Sequence, residues 1–359
     1  MLVFKEIDIK SESQSRALFC KTFKQPMSEA TWRWKYHGLP SDLPIKSFSV
    51  GGFTPEGELV AHAGALVFPG LAGESTESGE EVGNGLLVQV CDVMISDEWR
   101  GPLPSGPIYP RLMNFLRERL RSRSTHWFAF GFPGLRPFRL GARLGFYRGI
   151  QALTLQAWAG PGPLEPSGRI SVESLPWTAS LGWFDDFWHT SRGRFRRPLI
   201  ARDAAYMRWR YAQHPQSVYQ LWVVSRRIGP FRKRVGWLVI RKCREGYLLV
   251  DGLFRGQMIP GHHQHAGFER KALRRLPFVD EPLESALAVS ALRAALPGGQ
   301  TLLCWGVADL ASLDSRVAPI IAMRFLGESP TDTMDQQGMH FPNSAHQELQ
   351  FTPGDTDVF

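Results

Sequence analysis

Apolar positions along the chain switch between two rhythms, and the order of the switches occurs twice. Short runs with strand character occupy 2–8, 46–53, 59–68, 86–95 and 126–132. Between them, helical spacing places Ala17, Leu18, Cys20 and Phe23 on one face of 14–23. The same spacing aligns Leu112, Phe115, Leu116 and Leu120 over 108–120. From residue 169 the order returns. Strands are predicted over 169–175, 218–225, 234–242, 247–254 and 301–307. Helices are predicted over 181–191, through Leu181, Phe184 and Trp188, and over 283–296, through Leu287, Val289, Leu292 and Leu296. Each series closes on a short helix and a glycine-containing return, "LGARLGF" at 140–146 and "IAMRFLG" at 321–327.

A repeated phrase marks the duplication. "RWKYHGLP" spans Arg33–Pro40 and "RWRYAQHP" spans Arg208–Pro215. Each follows a helix-like segment and precedes a strand, so its Trp and Tyr are expected to pack and its Pro to stop the preceding helix. The third long strand of each copy carries an aspartate within an apolar run, Asp92 or Asp251. Each copy thus has the order β-α-β-β-β-α-β-α-β, with antiparallel hairpins first and then a parallel pair joined by a crossover helix. The fold class is α/β, of the mixed-sheet α+β kind, present twice. The expected division is residues 1–159, a Pro/Gly linker at 160–168, residues 169–330, and a polar, aperiodic tail at 331–359.

Composition narrows the function classes. No run approaches 18 apolar residues, so no membrane span is predicted. "MLVFKEIDIK" mixes acids and lysines and lacks the apolar centre of a signal peptide. Cys20, Cys91, Cys243 and Cys304 form no C-x-x-C pair, which argues against zinc and disulfides and fits a reducing cytoplasm. The net charge of +8 suits an anionic partner: a phosphate-bearing cofactor, a nucleic acid or a membrane surface. Its basic clusters are short, and "RRIGPFRKR" at 226–234 reads as a solvated hairpin tip. "GHHQHAG" in the second copy reads as a polar loop, without the thiolates or carboxylates that a metal site needs.

The stretch 91–116 carries the candidate chemistry. A strand ends at Ile95, a loop with Arg100, Gly101, Ser105 and Gly106 follows, and a helix starts near Pro107. A loop running into a helix N-terminus presents peptide N–H groups and the positive end of a dipole, which suits an anion. The donors available are those of Leu103, Ser105, Gly106, Ile108 and Tyr109, and Arg100 adds a planar cation. Asp92, an acid in an apolar strand, is expected to have a raised pKa and to act as a base. His62, on the preceding strand, is expected to face the same cleft. Cys91 adjoins Asp92, and alternation along a strand predicts opposite faces for the two.

Here the chain resembles the GNAT superfamily of acyl-CoA N-acyltransferases, and in particular its tandem members. The resemblance rests on the strand leading to Arg100–Gly101 and the loop beyond, on the "LGF" of Leu144, Gly145 and Phe146, and on the "WRY-x-x-x-P" phrase. It implies that the loop cradles the diphosphate of acetyl-CoA or another acyl-CoA, and that backbone groups of Val93, Met94 and Ile95 pair with its pantetheine arm. It implies N-acyl transfer, plausibly acetyl, to a small amine such as an amino sugar or an amino-acid-like metabolite. Two features depart from the family. Pro102, Pro104 and Pro107 interrupt the loop, and the position of the family's tyrosine acid is Gly141. Tyr109 and Tyr147 lie nearby off that position, and Tyr109 joins Asp92 and His62 as a catalytic candidate. In the second copy Asp280, Glu281 and Glu284 open the helix and repel phosphate, so that copy is expected to be degenerate. The alternatives are a non-catalytic tandem GNAT-fold binding protein and a peptidyl-type transferase using aminoacyl-tRNA. The second lacks the long basic helical arm frequent in that class.

Overall fold

A computed structural model describes residues 2–39, 43, 45–71, 84–101, 107–123, 127–157, 170–194, 198–254, 282–297, 300–307 and 320–326. The first copy runs β1 (Val3–Glu6), α1 (Glu12–Phe23), α2 (Glu29–His37), β2 (Phe48–Phe53), β3 (Leu59–Leu71), β4 (Asn84–Ile95), α3 (Ile108–Arg121), β5 (Trp127–Gly131), α4 (Leu135–Arg143) and β6 (Tyr147–Ala157). The second runs β7 (Ile170–Leu175), α5 (Trp183–Ser191), β8 (Leu199–Ile200), α6 (Ala204–Met207), a π-helical turn (Arg208–Ala212), β9 (Tyr219–Ile228), β10 (Phe231–Cys243), β11 (Gly246–Phe254), α7 (Pro282–Ala295), β12 (Thr301–Val307) and β13 (Ile320–Phe325). The proposed linker at 160–168 and tail at 331–359 lie outside the described residues.

Among the described residues thirteen strands join one sheet, in the order β1-β2-β3-β4-β5-β13-β6-β12-β11-β10-β9-β7, with β8 pairing β3. The copies exchange their last strands. β13 inserts antiparallel between β5 and β6, and β6 pairs antiparallel with β12. Each copy is therefore completed by the other. The "IAMRFLG" stretch, predicted as a short helix, is mostly strand for this reason. Met323 and Phe325 of β13 bury in the first copy's core, and Leu326 N–H donates to the Phe146 carbonyl.

Alternation sorts the strands' side chains between two faces. Ala65, Val67, Val88 and Val90 pack beneath Leu112, Met113 and Leu116 of α3. Leu66, Phe68 and Leu87 face the other way, into a core that also holds Phe184, Phe187, Trp209 and Trp237 of the second copy. That core joins the copies, and the repeated phrase lies at its centre. The phrase is itself helical: α2 starts from Ser28, whose Oγ caps Thr31 N–H, and runs through Arg33–His37. Asp203 caps Tyr206 N–H in the second copy, and its phrase forms the π turn. Trp34 and Trp209 stack with ring centroids 5.0 Å apart. Each indole Nε1–H donates to the other's backbone carbonyl at 2.7 Å. The phrase occurs twice because both halves of a reciprocal clasp need it.

Candidate active site

β4 and β5 run parallel and in register only from Leu86–Trp127 to Gln89–Phe130. Beyond Gln89, β4 continues to Ile95 with β3 on one side and no paired strand toward β5 among the described residues. The register with β3 also shifts here, from Gly64 opposite Cys91 to His62 opposite Met94. Asp92 occupies this bulge with φ 48°, a left-handed conformation that Asp tolerates better than most residues.

The bulge turns the Asp92 carboxylate into a sealed cluster. Lys35 Nζ donates to Oδ1 at 2.8 Å, and the Tyr36 hydroxyl donates to Oδ2 at 2.7 Å. Both side chains of the ion pair have no solvent exposure. Tyr36 reaches the sheet because Gly64 has no Cβ; one there would overlap its hydroxyl. Burial pushes the Asp92 pKa up, but Lys35, His62 and the hydrogen bonds from Lys35 and Tyr36 outweigh it and the net shift is downward. The raised pKa expected from the apolar strand is therefore reversed, because the strand's neighbour is a buried cation. Alternation fails at the same point. Cys91 Sγ lies 3.8 Å from Asp92 Oδ2, on the same cluster, because the bulge breaks the two-residue period. Burial, then Asp92, raises that thiol to about 12, which leaves it protonated and inert.

The second copy builds a counterpart. The Tyr211 hydroxyl donates to Asp251 Oδ2 at 2.6 Å, and Arg202 Nε donates to the same oxygen at 3.0 Å. Lys35 and Tyr36 correspond to Arg210 and Tyr211 in the phrase, and Arg202, from outside it, is a cation bonded to the acid. Arg210 lies over the Trp34 and Tyr211 rings.

His62 is fully buried. Its Nδ1–H donates to the Asp92 carbonyl at 2.8 Å, and Nε2 has no hydrogen-bond partner among the described residues. Burial lowers its pKa more than Asp92 raises it, so the ring is held neutral. A histidine whose folded pKa is depressed contributes stability above its unfolded pKa and loses it on acidification. Replacing His62 by Leu should therefore flatten the fall in stability between about pH 6.5 and pH 5. Urea unfolding across that range checks this; an unchanged slope would mean that His62 is not the titrating group.

The other predicted residues gather on the α3 side. Val93, Ile95 and Tyr109 are half-buried against the cluster that contains Ile108, while Met94 is buried on the opposite side. Arg100 folds back, with Nε donating to the Ile95 carbonyl at 2.9 Å and Nη1 lying 2.6 Å from Asp97. Gly101, just past the 3-10 turn Asp97–Trp99, has φ 115°, a conformation that favours glycine. Pro107 caps α3 without a side-chain bond to the helix's first N–H groups. Ser105, Gly106 and the intervening prolines lie outside the described residues, as do the "HHQH" segment, Asp280 and Glu281. The Tyr109 hydroxyl is buried, and its neighbour is the Tyr147 hydroxyl. Burial, then Tyr147, raises its pKa. Burial likewise pushes Tyr147 up to about 12. The Tyr147 ring lies over Gly141, where any Cβ would collide with it. That ring explains why no tyrosine stands at 141. The structure thus divides the predicted residues into two groups, Asp92 with His62 on one side of the sheet and Val93, Ile95, Ile108 and Tyr109 on the other. Lys35 and Tyr36 were missed; their recurrence as Arg210 and Tyr211 beside a recurring Asp was the available signal.

A cleft of about 440 Å³ opens at the far end of β4, lined by Gly85, Leu86, Trp188, His189 and Asp203 among others. At about 3.3 Å per residue it is roughly 30 Å from Ile95, and the site is assigned by chemistry rather than by cleft size. No metal-binding group of His, Cys, Asp or Glu occurs among the described residues, and none of their helices is long and apolar enough to cross a membrane.

Comparison with known proteins places this arrangement. No protein-family model and no curated protein sequence matches the chain. Solved structures do. A probable N-acyltransferase from Enterococcus faecalis V583 matches with a TM-score of 0.60 at 10% identity, over 91% of this chain and 73% of that one. A GCN5-related N-acetyltransferase from Anabaena variabilis ATCC 29413 matches at 0.55 and 11%, over 91% and 73%. Saccharomyces cerevisiae N-myristoyltransferase with bound myristoyl-CoA matches at 0.50 and 11%, over 90% and 80%. The chain shares its fold with these N-acyltransferases.

Proposed function

We propose that the chain is an acyl-CoA-dependent N-acyltransferase with its cofactor site in the first copy. The observation that carries this reading is the parting of β4 from β5 beyond Gln89 at the Asp92 bulge. It leaves a strand edge on which an extended amide chain can pair. N-acyl transfer by the structural neighbours, one of them with bound myristoyl-CoA, supports the reading. In this proposal Val93, Met94 and Ile95 present backbone groups to the pantetheine arm. The diphosphate lies at the mouth of α3, near Arg100, Gly101, Ser105, Gly106, Ile108 and Tyr109. Acyl-CoA would supply the activated thioester. Asp92 and His62, both buried behind the sheet, act as positioning residues that fix the bulge parting β4 from β5 and do not meet the amine. Tyr109, kept protonated by burial, donates to the leaving sulfur. The acyl group is acetyl or longer, the acceptor a small amine, and the setting the cytoplasm.

One observation favours binding without turnover. Asp251 repeats the Asp92 cluster, with a cation and a tyrosine, in the copy whose helix opens on carboxylates. A shared cluster suits a shared structural task. Turnover separates the two: release of free thiol from acetyl-CoA with amine panels supports the enzyme, and cofactor binding with no thiol release supports the binder. If Arg100 meets a phosphate, Arg100→Ala should weaken acetyl-CoA by about 5- to 150-fold in a calorimetric titration. Unchanged affinity would remove Arg100 from the site.

A further inference from the structure

The β9–β10 hairpin ends in a two-residue turn, Gly229–Pro230, with Ile228 opposite Phe231. Arg227 faces Arg232 behind that pair, and Arg226 faces Lys233 one step further back. The last pair of β7 with β9 is Ile170–Arg226, and the last of β11 with β10 is Phe254–Gly236. Residues 226–234 are all exposed to solvent. At the tip, Ile228 is 55% and Phe231 75% exposed.

This is a costly way to end a hairpin. Like charges directly opposite each other destabilise an antiparallel pair. No acid relieves them in sequence, since neither Asp nor Glu occurs between Asp203 and Glu245. Arg227, Arg232 and Lys233 form no ion pair with an acid among the described residues. A merely solvated turn needs neither the two exposed apolar side chains nor the stacked cations.

We infer that this tip docks the protein on an anionic lipid bilayer, with Ile228 and Phe231 entering the interface and Arg227, Arg232 and Lys233 meeting lipid phosphates. The order along the hairpin chooses bilayer over nucleic acid. At about 3.3 Å per residue, the cations lie roughly 3–7 Å behind the apolar pair. Cations at the phosphate level thus carry Ile228 and Phe231 to the boundary of headgroups and acyl chains, which lies about 5–10 Å deep. On a nucleic acid the same side chains would project past the phosphates with no apolar layer to enter. The inference is independent of the acyl-transfer reading, because the hairpin belongs to the second copy and shares no residue with the proposed cofactor site.

Cosedimentation of the full chain with vesicles tests it. One set is phosphatidylcholine alone, and the other contains about 30% phosphatidylglycerol, where each bound cation strengthens attachment. The expected result is pelleting with the anionic set only. Arg227→Gln with Arg232→Gln should lower partitioning about 30-fold, and Ile228→Ser with Phe231→Ser at least about tenfold. All four side chains are exposed at the hairpin tip, and unchanged thermal melts will show that the variants fold. As a direct readout, Phe231→Trp should shift its emission to the blue on anionic vesicles. Equal pelleting with both vesicle sets, no effect of either double variant, or capture by bulk tRNA in place of vesicles would each overturn the proposal.

Discussion

Asp92→Asn and Lys35→Met each lower the unfolding free energy by about 3–5 kcal/mol, while the double variant costs less than their sum. Each single change leaves one partner of a sealed ion pair without its counter-charge. Asn is nearly isosteric with Asp and tolerates the left-handed φ of 48°, so its effect reports charge rather than backbone strain. Urea unfolding measures all three. The pH dependence follows from the directions of the shifts. The Asp92 pKa is lowered, so its contribution is present above the unfolded value of about 4 and is lost as pH falls through the folded one. For Lys35, burial pulls the pKa down, but Asp92 and Cys91 raise it overall. Its contribution is present below the unfolded value of about 10.4 and is lost as pH rises through the raised one. The penalty of either single variant should thus be flat between those limits and shrink beyond them. Single variants that cost under about 1 kcal/mol would mean the pair is not sealed from water as described.

Trp34→Ala and Trp209→Ala each destabilise the chain by about 3–5 kcal/mol, and by similar amounts. Both remove a large ring from the core that joins the copies and leave a buried carbonyl without its donor. Trp→Phe at either position keeps most of the ring and removes only the N–H, at about 1–3 kcal/mol. The clasp couples the two sites, so a Trp34→Phe and Trp209→Phe cycle should be non-additive. Additive costs would show two tryptophans buried separately.

Periodicity made the element order and the duplication legible, because strand and helix spacing need only neighbours in sequence. It could not assign β6 and β13 to a partner, since an exchanged strand has the same apolar pattern as an unexchanged one. Lys35 lies in a helix, where lysine ordinarily faces water, and its partner is 57 residues away. The Cys91 and Asp92 side chains violate alternation at a bulge that no local residue announces. Trp34 and Trp209 were visible as a repeat, but the reason for the repeat was a contact across 175 residues. The mouth of α3 was read from its loop and proline. The fold-back of Arg100 onto Ile95 depends on the strand's end and was not legible.

The account stands most directly on a structure of the chain with coenzyme A. It predicts one molecule per chain in the first copy, its pantetheine arm paired with β4 at Val93–Ile95 and its diphosphate at the mouth of α3. Coenzyme A seated instead against α7 in the second copy, or no binding by folded protein at millimolar cofactor, would contradict it.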